Sequence, residues 1–71
     1  MKPTRPTDNE LGGMTVNERL FSCGLLDDWD AATRKRDREE MIAILRQVAM
    51  TQEQAAYTAD TILKNPAKYG F

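Results

Sequence analysis

Asp27, Asp28 and Asp30 form the densest group of acids in the chain, and carboxylates this close in sequence can hold a cation or share a proton. Counted from Asp28, Glu39 falls at the twelfth position, where a calcium loop places its last acidic ligand. Ala32 and Thr33, however, stand where such a loop needs an oxygen ligand and a glycine. Acids at the start of a helix serve another purpose, because they cap exposed amides and oppose the positive end of the helix dipole. The reading is therefore structural, with Asp27 as the cap of a helix. There is no His, and Cys23 is the single cysteine, so the usual zinc sets and the Ser-His or Cys-His nucleophile arrangements cannot be built. No catalytic residue, cofactor or metal is expected, and the chain reads as something other than an enzyme.

The second chemical pattern is basic. Arg34, Lys35, Arg36 and Arg38 would have to present their charges on one face to hold phosphates. Asp37, Glu39 and Glu40 are interleaved with or adjacent to them, no aromatic stands among them for stacking, and the chain as a whole carries 10 basic against 11 acidic residues. A solvated helix end accounts for the cluster more simply, which leaves a nucleic-acid-associated regulator as the alternative function. Thr51-Gln-Glu-Gln-Ala-Ala56 resembles the opening of the first helix of helix-turn-helix DNA-binding domains. That family continues with a glycine-containing turn and a recognition helix, whereas this chain runs on helically through Tyr57 to Leu63 and then meets Pro66.

Aromatics supply the third candidate. Trp29 aligns with Leu25 and Ala32 and belongs to a core face, but Tyr57 falls on the polar side of its helix with Glu53, Thr61 and Lys64. Aromatic side chains are enriched at interfaces. Met50, Tyr57, Tyr69 and Phe71 are accordingly the candidate partner surface, with fold-back of Phe71 over Tyr57 within one chain as the competing arrangement.

The elements that must position these groups are helical. At about 100° per residue, Met41, Ile42, Ile44, Leu45, Val48 and Ala49 fall within an arc of about 160°, with Glu39, Glu40, Arg46 and Gln47 opposite. This amphipathic segment is the centre of the fold. Thr15 and Glu18 have capping-box spacing and start a helix at Val16, which Gly24 stops with Leu25 turning back on Leu20. Asp37 caps the central helix, Thr51 and Gln54 open the next, and Pro66 ends it. Asn65, Pro66 and Gly70 then outline a last turn.

The expectation is an all-α domain, residues 15–71, of four short helices near 16–23, 28–36, 38–49 and 52–64 with a C-terminal turn. Residues 1–14, with prolines, paired glycines and little apolar content, are expected to be a flexible tail. No apolar run approaches the roughly 20 residues that cross a bilayer, and no leader-like stretch follows Lys2, so a soluble cytoplasmic protein without membrane contact is expected. A domain this small gains from a partner. The functional expectation is thus a small protein-interaction or regulatory module that contacts another protein or its own copy.

Overall fold

The computed structural model describes residues 6–71, and they form an all-α fold in which consecutive helices pack side by side. In order these are α1 (Asp8–Leu11), α2 (Val16–Ser22), α3 (Leu26–Arg34), α4 (Arg38–Arg46) and α5 (Gln52–Lys64), followed by a 3-10 turn (Pro66–Tyr69). Helix starts follow local chemistry. Thr15 accepts the Glu18 amide at 3.2 Å while the Glu18 carboxylate accepts the Thr15 amide at 2.8 Å, and Thr51 and Gln54 repeat the exchange at 3.1 and 3.0 Å. Asp37 caps α4 by accepting the Glu40 amide at 3.2 Å.

Reversals between helices use left-handed backbone. At Gly24 (φ +70°) the Leu25 amide reaches back to the Leu20 carbonyl at 2.8 Å and the Gly24 amide to Phe21 at 3.1 Å, the paired bonds of a Schellman stop. The same pair closes α3, from Asp37 to Ala32 and from Arg36 to Thr33, each at 3.0 Å. Here Arg36 takes φ +60° without the freedom of glycine. Its guanidinium folds back to donate to the Thr33 carbonyl at 2.9 Å, which offsets part of that cost.

The core is built on α4, whose Met41, Ile42, Ile44 and Leu45 are all buried, with Val48 just beyond its end. Leu20 closes it from α2, Trp29 and Ala32 from α3, and Ala55, Ala59 and Ile62 from α5. The alanines let α5 approach α4 closely, and this is the most extensive helix pairing. Thr33, fully buried, satisfies its hydroxyl by donating to the Trp29 carbonyl at 2.8 Å.

Four expectations need correction. Residues 8–11 are helical, not loose: Thr7 and Glu10 form a capping box, and Leu11 is only 1% exposed. The rest of the expected tail divides between residues 1–5, outside the described residues, and a connection tied to the fold by Arg19, which donates to the Met14 carbonyl at 3.1 Å and the Val48 carbonyl at 3.2 Å. Second, α3 begins at Leu26 and no side chain caps it, because the chain leaves the Gly24 turn through Leu25 directly into helical geometry. Asp27 and Asp28 stand in the first turn, where their charge favours the dipole. Third, α4 stops at Arg46, three residues early. Gln47 and Val48 draw their amides in to carbonyls three residues back, and Ala49 takes φ +66°, since the chain must reverse before Thr51 can cap α5. Finally, Asn65 occupies the cap position of the last turn without a side-chain bond.

Candidate functional site

Helix α5 presents Tyr57, Thr58, Thr61 and Ile62 along one side, the i, i+4 neighbours that a helix stacks on a single face. Helix α3 presents Leu26, Trp29 and Asp30 by the same rule, and Thr15, Val16 and Asn17 at the start of α2 close one end. At the other end the chain turns at Gly70 (φ +89°), where the Phe71 amide reaches the Pro66 carbonyl at 3.0 Å. This brings Tyr69 and Phe71 to the rim of an open hollow of about 590 Å³. A second hollow of about 390 Å³, lined by Met14, Glu18, Phe21 and Ser22, shares Asn17 and Leu26 with the first, so the two form one face.

Trp29 and Ile62 are buried beneath this face, whereas Tyr57 is 75% exposed, Phe21 74%, Tyr69 42% and Leu26 37%. Its polar groups are largely engaged already. Thr61 donates to the Tyr57 carbonyl at 2.8 Å, and Asp30 holds the Arg34 guanidinium at 2.9 Å. The Glu18 carboxyl is held below its ordinary pKa by the Thr15 amide and hydroxyl that it accepts from. What remains is an apolar, aromatic-rimmed recess.

Of the expected partner surface, the fold gathers Tyr57, Tyr69 and Phe71 around one hollow and sends Met50 elsewhere: Met50 is half-buried against the core. Phe71 does fold back, but onto the core, with the Arg34 guanidinium 5.6 Å from its ring centre, and Tyr57 stays uncovered. The sequence reading missed Phe21 and Leu26. A signal existed for Phe21, which stands about 100° from the Leu20 side of α2 and so cannot share its buried face.

The basic cluster is dispersed over separate tasks. Arg34 pairs with Asp30, and Arg36, just beyond α3, caps the Thr33 and Arg34 carbonyls at the end of that helix. Arg38 forms a forked pair with Asp60 on α5, Nε at 2.6 Å and the second contact at 3.2 Å. The Arg38 contact holds the Asp60 carboxyl below its usual pKa, and Asp60 in turn raises that of Arg38. Of the four side chains, that of Lys35 alone has neither an acidic nor a carbonyl partner among the described residues. As for metal ligation, no group of three or more Cys, Asp or Glu side chains converges among the described residues. No helix there is long and apolar enough to cross a membrane. No protein-family model, curated protein or solved structure matches the chain, and the aromatic-rimmed face is the feature on which a functional reading has to stand.

Proposed function

We propose that this chain is a non-catalytic interaction module that docks another protein surface on the face between α2, α3 and α5. One observation carries the reading: Phe21, Leu26, Tyr57 and Tyr69 are left uncovered around a recess, whereas the other large apolar side chains among the described residues are buried wholly or in part. Contiguous apolar patches of a few hundred Å² are often functional. Tyr57 and Tyr69 add hydroxyls that can pair across an interface while their rings are buried. A cytoplasmic setting goes with this reading, since one cysteine is too few for an internal disulfide. A regulator binding nucleic acid through Arg34, Lys35, Arg36 and Arg38 draws less support, because Arg34 and Arg38 are each matched by an aspartate.

The test compares capture of partners from source-cell extract by the unaltered chain and by a Tyr57→Ser/Tyr69→Ser variant. Both tyrosines are exposed, so the variant should melt at about the temperature of the parent, within roughly ±0.5 kcal/mol per site. Loss of the captured protein with an unchanged melt is the expected result. Equal retention by both chains would refute docking on this face.

A further inference from the structure

We infer that the partner docked on this face presents a basic protein segment, with an arginine or lysine beside an apolar side chain, to the end formed by Glu18, Phe21 and Leu26. The inference rests on the docking reading above and names the chemistry of its partner. The opposite end of the face shows the pattern. There the Arg34 guanidinium lies 5.6 Å from the centre of the Phe71 ring while donating to Asp30 at 2.9 Å, and the Lys68 ammonium lies 5.9 Å from that of Tyr69. Phe21, 74% exposed, lines the second hollow together with the Glu18 carboxylate, and neither has a cation against it among the described residues. The ring and carboxylate that seat Arg34 are thus repeated at Phe21 and Glu18, where the cation has to come from another chain.

Charge selects the sign of the partner. The ionised side chains lining the two hollows are Glu18 and Asp30, with no Lys or Arg among them, and Asp30 is already matched by Arg34. Glu18 is left. Asp27 and Asp28, exposed in the first turn of α3 directly after Leu26, add to its charge, whereas Arg19 is committed to the Met14 and Val48 carbonyls. Glu18 uses Oε1 to accept the Thr15 amide, and its second oxygen is free to accept from a guanidinium or ammonium. The walls of the hollow at Met14, Phe21 and Leu26 are apolar, which suits an aliphatic side chain next to that cation. Phosphate would be repelled here.

Isothermal titration of the full chain with two short synthetic amphipathic helices tests this, the two sharing their leucines but carrying arginine or glutamate on the polar face. The arginine peptide is expected to bind, less tightly as salt is added, and the glutamate peptide to bind far more weakly. Glu18→Gln should weaken binding of the arginine peptide by about three- to fivefold, because Gln keeps the capping-box exchange with Thr15 and removes only the charge. Phe21→Ala, at an exposed position, should weaken it by roughly tenfold with a nearly unchanged melt. Glu39→Gln, exposed on α4 outside both hollows, should leave it unaltered. Failure of the arginine peptide to bind, equal binding of both peptides, or equal binding by the parent and the Glu18 and Phe21 variants would overturn the basic partner. The docking reading is decided separately by partner capture: a protein whose retention depends on Tyr57 and Tyr69 but not on Glu18 leaves that reading standing and overturns this one.

Discussion

Leu11→Ala is the most informative single change, because it asks whether the N-terminal helix is held by tertiary packing. A four-residue helix has no independent stability, since nucleation outweighs the few bonds it forms. Its order depends on what Leu11 and the neighbouring connection gain by docking. Leu11 is 1% exposed, and burial of a leucine contributes about 1.5–3 kcal/mol. The Thr7–Glu10 box and the Arg19 bonds to Met14 and Val48 help to hold the segment, while the entropy lost on ordering it offsets part of the gain from burial. The net docking energy is therefore small, on the order of 1–2 kcal/mol, and it caps the loss. Once the segment undocks, nothing more can be lost.

By contrast Leu45, fully buried at the centre of α4, cannot escape by local undocking, and Leu45→Ala should cost the full 2–5 kcal/mol or so of a core truncation. For a domain of this size each kcal/mol moves the melting temperature by about 4–8 °C. Leu11→Ala should therefore lower it by roughly 5–15 °C, and Leu45→Ala by more. Native-state hydrogen exchange adds the local readout. The amides of Leu11, Gly12 and Met14, bonded at 2.9–3.0 Å to Thr7, Asp8 and Leu11, should lose protection in Leu11→Ala ahead of those in α4. If these amides exchange freely in the parent and the melt ignores the substitution, the segment does not dock and the reasoning fails.

Two further outcomes follow from local geometry. Ala49→Gly should raise stability by up to about 1 kcal/mol, because relief of the left-handed strain at φ +66° exceeds the added freedom of the unfolded chain; a lower melting temperature would contradict this. Stability should also fall in acid. Glu18 and Asp60 both have folded pKa values below their ordinary ones, so their contribution is present above the ordinary carboxylate range and is lost as pH drops through the folded values. Melts taken from neutral pH down to about pH 2 should show this fall, blunted in Asp60→Asn and Glu18→Gln, and an unchanged profile in both variants would rule the two carboxylates out as its source.

Where a side chain caps the first turn of a helix, its start is readable from residue types alone, as at Thr15, Asp37 and Thr51. The inner face of α4 was readable too, since its buried residues recur with the helical period. Thr7-Asp-Asn-Glu10 carries the same capping signal, but Pro3, Pro6, Gly12 and Gly13 around it suggest disorder, and burial of the lone Leu11 depends on the tertiary setting. The end of α4 carried no signal because Ala49 does the work of a glycine there. At the face between α2, α3 and α5 the aromatic residues Tyr57, Tyr69 and Phe71 were visible as a set. Their recess was not, because it is lined jointly by α2, α3, α5 and the C-terminal turn, which no single helix encodes.

Every extensive helix pairing here joins neighbours in the chain: α2 with α3, α3 with α4, α4 with α5, and α5 with the final turn. Loop closure is then made in short steps, each rewarded by burial before the next begins, and such low contact order goes with fast folding. The Arg19 bond to the Val48 carbonyl spans 29 positions and lies outside this sequence of local closures. It can form only after α2 and the end of α4 are both in place. Rapid collapse of α2 through α5, followed by closure of the Arg19 bridge and seating of α1, is the order of assembly that this topology favours.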